Sequence, residues 1–130
     1  MARRRQIDPL GRQAALAIGA GRVAIGVGTL FATRPGLRAL GFAETDATGT
    51  ALAKVVGARD LALGLLTLAA RDDRDALRAA TLAGTALDAA DTAAFGLALG
   101  GPETRKAGVT GLLGASAAVL AGAWACRRLS

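Results

Sequence analysis

Histidine and tyrosine are missing from this 130-residue sequence, and cysteine occurs once, at Cys126. A single cysteine excludes an internal disulfide. With one thiol and no imidazole the usual zinc-ligand sets cannot form, so we expect no metal centre. The motifs Gx4GK[ST] and GxSxG are also absent, which excludes the common phosphate-binding loop and the serine-hydrolase nucleophile. We therefore expect no cofactor.

Aromatic residues make up 3% of the chain, whereas 52% of it is hydrophobic and 18 residues are glycine. A soluble core of this size normally depends on Phe, Tyr and Trp for buried area. Small residues instead allow helix backbones to approach one another closely, as they do in lipid. The composition therefore favours helices packed within a membrane.

Basic residues cluster near the two ends of the chain, which carries a net charge of +6. A nucleic-acid-binding surface would show a basic stripe with interleaved aromatic side chains, and the sequence has none. We therefore expect no nucleic-acid partner. The end clusters consist of Arg3, Arg4, Arg5, Arg12, Arg127 and Arg128.

Four apolar segments follow one another, each close to the roughly 20 residues that an α-helix needs to cross ~30 Å of hydrocarbon. Strands are disfavoured because Ala and Gly dominate and apolar residues do not alternate with polar ones. Short connections make neighbouring helices antiparallel. We predict a single domain, residues 1–130, that is all-α and forms an antiparallel four-helix transmembrane bundle. Its predicted helices cover about 13–33, 48–70, 76–99 and 106–126.

A soluble four-helix bundle is the alternative. Asp88 and Asp91 favour it, because they lower the hydropathy of the third segment. The fourth segment opposes it, because no charged residue lies between Lys106 and Arg127.

The distribution of Lys and Arg at the helix ends predicts the orientation. Nine basic residues fall on the side of the two termini and four on the other side. We therefore predict a multi-pass protein of the cell (plasma) membrane with both termini in the cytoplasm. The first group is Arg3, Arg4, Arg5, Arg12, Arg71, Arg74, Arg78, Arg127 and Arg128, and the second is Arg34, Arg38, Arg105 and Lys106.

Away from the ends of the predicted helices there are six ionisable residues, three of each sign, and five of them share one depth. An unpaired Arg, Lys or Asp at a helix centre costs about 2.5–3.5 kcal/mol, so six would cost on the order of 15–20 kcal/mol. They must therefore pair, face a wet cavity or lose their charge. The five at one depth are Arg22, Arg59, Asp60, Asp88 and Asp91, and Lys54 lies nearer the external surface.

We expect Arg22 to pair with Asp60, and Asp88 and Asp91 to hold Arg59. RVAIGVGTL, from Arg22, aligns without gaps with DLALGLLTL, from Asp60, at four identities in nine positions. In an inverted repeat this alignment would bring the two opposite charges together, although chance similarity in an Ala/Gly/Leu-rich chain also explains it.

The five charges are candidates for a site that takes protons or a small polar ligand, because intramembrane charges are commonly functional. The alternative is a structural clasp that fixes the relative position of the helices. Lys54 is a secondary candidate, whose alternative role is a side chain that extends to the membrane surface.

Three motifs carry a family resemblance: GR-x-x-x-G from Gly21, GARDLALG from Gly57, and D-x-x-D from Asp88. Together they resemble a family of small integral membrane proteins described as a domain of unknown function. The similarity covers roughly residues 15–100, and GARD-x-x-LG is its most specific part. The resemblance implies four membrane helices, makes the Arg/Asp set a family feature, and implies no biochemical role.

Three classes of function are consistent with these features. The first is binding or transport of a small polar ligand or protons. The second is a non-catalytic structural or accessory subunit of a larger membrane assembly. The third is an intramembrane enzyme with an Asp as acid or base, which no nucleophile, metal set or cofactor motif favours. The expected partners are the lipid bilayer, a second copy of the chain or another membrane protein, and a small polar ligand.

Overall fold

The computed structural model describes residues 7–39, 41–42 and 46–130, and these residues form five helices and no strand. The all-α prediction is confirmed, but the described residues contain five helices where the sequence predicted four. Part of the predicted basic cluster, Arg3 to Arg5, lies outside the described residues. The helices are α1 (Pro9–Phe31), α2 (Thr33–Ala39), α3 (Ala47–Ala69), α4 (Arg74–Ala98) and α5 (Arg105–Arg128).

The additional helix, α2, begins immediately after α1 ends. The sequence predicts that Arg34-Pro35-Gly36 stops the first helix, and α1 does end shortly before it, at Phe31. The chain then forms a seven-residue helix from Thr33. Pro35 lies in the first turn of α2, where a backbone N–H would have no acceptor within the helix. The missing donor of proline is therefore tolerated there.

Aspartates precede α1, α3 and α4 and accept hydrogen bonds from the first turn of each helix. A carboxylate in this position pairs with an N–H group that has no helical partner and offsets the positive end of the helix dipole. The three carboxylates are Asp8, which accepts from Gly11 N at 2.8 Å, Asp46, which accepts from Gly49 N at 2.7 Å, and Asp73, which accepts from Ala76 N at 2.9 Å.

Glycines bring α1 and α3 into backbone contact. Gly19 of α1 faces Gly64 of α3, and Gly26 faces Gly57 and Leu61. Rising residue numbers on α1 meet falling numbers on α3, so the two helices run antiparallel. A methyl group added at Gly26 would lie 2.6 Å from the backbone nitrogen of Leu61. Only a residue without a side chain therefore fits at Gly26.

The second close pair is α4 with α5, and glycines of α5 again lie at the contacts. Gly108 and Gly111 pack against Phe95, and Gly122 packs against Thr85. These contacts also make α4 and α5 antiparallel. Between the pairs, α1 packs against α5, whereas contacts of α4 with α1 and with α3 are sparser.

An apolar cluster joins the two pairs at the end of the molecule that holds the start of α1 and the end of α5. Ala15, Leu77 and Leu129 are fully buried there. Because these residues belong to α1, to α4 and to the segment after α5, the cluster ties both helix pairs together. The partly buried residues around it are Ile7, Leu16 and Ala70.

Large apolar side chains lie on the outer surface of all four long helices. Ile25 is 58% exposed, Leu66 61%, Leu97 84% and Leu120 72%. By length and composition, α1 and α5 are suited to cross a membrane. Each long helix thus exposes large apolar side chains, whereas the charged residues Arg22, Asp60 and Asp88 are buried.

Candidate functional site

The guanidinium of Arg22 lies at the centre of the helix assembly and reaches two other helices. Its Nη1 donates to Oδ1 of Asp60 on α3 at 3.1 Å. Its Nη2 donates to Oδ2 of Asp88 on α4 at 2.5 Å and to the carbonyl oxygen of Gly84 at 2.9 Å. The side chain of Arg22 therefore links α1, α3 and α4 at one depth.

Space for this guanidinium comes from Gly84. A methyl group added there would lie 3.0 Å from Nη2 and 3.1 Å from Nε of Arg22. The same glycine exposes the carbonyl oxygen that Arg22 binds. The sequence analysis missed this role of Gly84, since a carbonyl acceptor leaves no signal in a residue pattern.

A second guanidinium, that of Arg59, binds Asp91 with both terminal nitrogens. Nη1 donates to Oδ1 of Asp91 at 3.1 Å and Nη2 to Oδ2 at 2.7 Å. Nη2 also donates to Oδ1 of Asp60 at 3.3 Å, so Asp60 connects the two arginines. The two-point geometry with Asp91 is the stronger kind of guanidinium–carboxylate contact.

Burial differs along this five-residue network. Arg22, Asp60 and Asp88 are 8%, 8% and 7% exposed. The side chains of Arg59 and Asp91 are 27% and 31% exposed, so the network reaches the surface between α3 and α4. Nε of Arg59 is buried and has no hydrogen-bond partner within the described residues.

The structure brings all five predicted site residues together, and it corrects one of the expected pairings. The Arg22–Asp60 pair and the Arg59–Asp91 pair are both present. The expected pairing of Asp88 with Arg59 is wrong, because Asp88 binds Arg22 instead. Lys54, the secondary candidate, is exposed on α3 and lies outside the network.

The network contains more carboxylates than guanidiniums. Three carboxylates meet two guanidiniums, so the group carries one excess negative charge when every member is ionised. Asp60 accepts from both arginines and Asp91 accepts twice from one, whereas Asp88 accepts a single N–H from Arg22. Asp88 is therefore the carboxylate of the network that accepts the fewest hydrogen bonds.

The fold and the network define an all-helical protein with an apolar surface and an internal Arg/Asp cluster. Residues 19–126 match the family described as Domain of unknown function (DUF4267), and the chain belongs to that family. All five network residues and most of α5 fall within the matched range, which continues past residue 100, where the sequence resemblance ends. No curated protein and no solved structure matches the chain.

Proposed function

We propose that the chain is a small polytopic membrane protein whose Arg/Asp network binds and transfers protons. The four long helices would form an antiparallel transmembrane bundle. The distribution of residues supports this placement, because large apolar side chains lie outside and charges and glycines lie inside. A soluble bundle with this surface would aggregate.

The charges of α3 and α4 do not prevent these helices from spanning a bilayer. Away from their ends, α3 and α4 carry more charged residues than α1 and α5, namely the four network residues Arg59, Asp60, Asp88 and Asp91 and also Lys54 of α3. All four side chains are bound within the network, so lipid would not meet them as isolated charges.

Both termini would lie in the cytoplasm, as the basic residues suggest. Contacts of Arg12 support one shared end: its Nε donates to the carbonyl oxygen of Arg71 at 2.8 Å, and its Nη2 to Asp72 at 3.2 Å. Gly11 lies against Arg128 at the same end. The start of α1, the α3–α4 connection and the end of α5 thus present their basic residues together, which is the pattern of a cytoplasmic face.

The excess carboxylate is the observation that carries the proton hypothesis. An uncompensated charge at the centre of a membrane helix costs about 2.5–3.5 kcal/mol, and one proton removes it. Among the described residues, no three carboxylates, thiols or imidazoles are placed to surround a metal ion. A proton on Asp88, the carboxylate that accepts the fewest hydrogen bonds, is the smallest change that neutralises the group.

Infrared spectroscopy of the protein in lipid vesicles tests proton binding. We expect the C=O stretch of a protonated carboxyl to appear on acidification and to disappear in the Asp88→Asn variant. Vesicles that contain a pH-sensitive dye test transfer, and Asp88→Asn should reduce proton flux to the level of empty vesicles. Asp72→Asn is the matched control, since Asp72 has a 76% exposed side chain outside the network.

Two results would contradict proton binding: an infrared spectrum without a protonated carboxyl at any pH at which the helices persist, or equal flux through the wild-type and Asp88→Asn proteins.

The second candidate function is a non-catalytic subunit of a membrane assembly. It is favoured by the internal pairing of all five network residues, which is also what a structural clasp requires.

A further inference from the structure

Contacts within the helix pairs differ in kind from contacts between them. Within the α1–α3 pair, a methyl group added at Gly64 would lie 2.6 Å from the carbonyl oxygen of Gly19. Backbone therefore meets backbone, and neither helix can shift without opening that contact. In the α4–α5 pair, a methyl group added at Gly108 would lie 3.2 Å from the carbonyl oxygen of Phe95, and Gly111 packs against the Phe95 ring.

Charged side chains bridge α1 and α3 to α4 at mid-length. Arg22 extends from α1 to Asp88 and to the Gly84 carbonyl on α4, and Arg59 extends from α3 to Asp91 on α4. Long side chains such as arginine can change rotamer while the helices that carry them stay intact. The bridge can therefore be released without disturbing either pair.

In contrast to the charged bridge, the apolar cluster of Ala15, Leu77 and Leu129 should keep the two pairs joined at one end of the molecule. All three are fully buried, and they hold α1, α4 and the end of the chain together without any charge. A change in the charge state of the network leaves this cluster unaffected. It is the natural pivot for a movement of one pair relative to the other.

We infer that the protein is built as two rigid helix pairs, α1–α3 and α4–α5, that pivot on the Ala15–Leu77–Leu129 cluster. The two pairs separate along the boundary between α3 and α4, here called the seam, when the hydrogen bonds from Arg22 and Arg59 to α4 break. The seam already reaches the surface at Arg59 and Asp91, whose side chains are 27% and 31% exposed.

The release requires that both carboxylates on α4, Asp88 and Asp91, lose their charge, so it rests on the proposed proton binding at Asp88 and needs a second proton at Asp91. The groups that face Asp88 are Arg22 from α1, Asp60 from α3 and Asp91 one turn away on α4. Helix α5 contributes no charged side chain between Lys106 and Arg127. Protonated Asp88 and Asp91 would leave Asp60 as the only charged acceptor, and Asp60 lies on the α1–α3 side of the seam.

Spin labels on cysteines introduced at Leu52 and Leu97 report the opening, because double electron–electron resonance gives the distance between the two labels in vesicles. These side chains are 62% and 84% exposed and lie on α3 and α4, on the far side of the network from the pivot. A second labelled pair, Leu52 with Phe31, lies within the α1–α3 pair. Cys126 is replaced by alanine in all samples so that only the introduced cysteines carry labels.

In the Asp88→Asn/Asp91→Asn double variant, we expect the Leu52–Leu97 distances to become longer and broader, while the Leu52–Phe31 distances stay unchanged. Asp72→Asn/Asp75→Asn removes two exposed carboxylates and should change neither. Because the first double variant can fail to fold, the wild-type network is also measured from neutral to acidic pH, where the same lengthening is expected. An unchanged Leu52–Leu97 distance in the folded double variant, or equal lengthening of both distances, overturns the two-pair movement. An unchanged distance in the acidified wild-type protein overturns it when the infrared spectrum of that sample shows protonated carboxyls.

Infrared spectra of the same samples separate this inference from the proposed function. A protonated carboxyl that appears on acidification without lengthening at the seam refutes the movement and leaves proton binding intact. Lengthening in the double variant without any protonated carboxyl in the wild-type protein supports the two-pair construction and refutes proton binding.

Discussion

Two glycines of α1, only two residues apart, should respond in opposite ways to the same substitution. A methyl group added at Gly26 would lie 2.6 Å from the backbone nitrogen of Leu61 and 2.7 Å from the carbonyl oxygen of Gly57. At Gly28 it would meet nothing within 4 Å. Gly26→Ala should therefore destabilise the protein, and Gly28→Ala should not.

The comparison isolates packing because both sites lie in the interior of one helix. The gain in helix propensity from Gly to Ala, about 0.5–1 kcal/mol, applies to both variants and cancels in their difference. The clash at Gly26 involves backbone atoms, which cannot rotate away. Overpacking of this kind typically costs about 1–3 kcal/mol. We expect Gly26→Ala to be less stable than Gly28→Ala by about 1–3 kcal/mol.

The free energy of unfolding is measured by titrating the protein in mild detergent with dodecyl sulfate and following helix content by circular dichroism. Gly28→Ala should have a midpoint equal to or above that of the wild type, and Gly26→Ala a clearly lower one. Equal midpoints for the two variants would mean that α1 and α3 do not approach at backbone distance. That result would refute the antiparallel glycine contact.

Two further substitutions test the ion pairs and the apolar cluster by the same assay. Arg22→Gln should lower the free energy of unfolding by about 3–5 kcal/mol because it leaves buried carboxylates without their partner. Arg12→Gln, in an exposed pair, should change it by less than about 1 kcal/mol. Similar losses for the two variants would contradict the burial of Arg22. Leu77→Ala should lower the free energy of unfolding by about 2–5 kcal/mol because Leu77 is fully buried. Leu97 is 84% exposed, so Leu97→Ala should leave the midpoint unchanged. The reverse order would contradict the position of the pivot.

Residue spacing predicted much of the network, because depth along a helix follows from counting. At a rise of about 1.5 Å per residue, Arg22 and Asp60 had to lie near the middle of their segments, and they are paired. The partner of Asp88 could not be predicted in this way. Asp88 and Asp91 lie one turn apart on one face, so both were within reach of either arginine. The choice depends on the lateral positions of α1 and α3 beside α4.

The seven-residue helix α2 was missed for a local reason. The Arg34-Pro35-Gly36 stretch carries the strongest breaker signal near the end of α1, and a proline is read as a stop when its position within a turn is unknown. In the first turn of a helix the same residue is compatible with helix formation. Only the backbone path after Phe31 distinguishes these two cases.

The glycines of this chain perform two separate tasks, and the distinction explains how charges and close packing occur together. Gly26, Gly57 and Gly64 let two backbones touch, which leaves no space for a polar side chain between them. Gly84 instead leaves space on α4 for the guanidinium of Arg22 and offers that group a carbonyl oxygen as acceptor. A stripe of small residues therefore does not by itself identify a helix–helix contact. Where an arginine on another helix lies at the same depth, a glycine such as Gly84 marks the place where that arginine is accommodated.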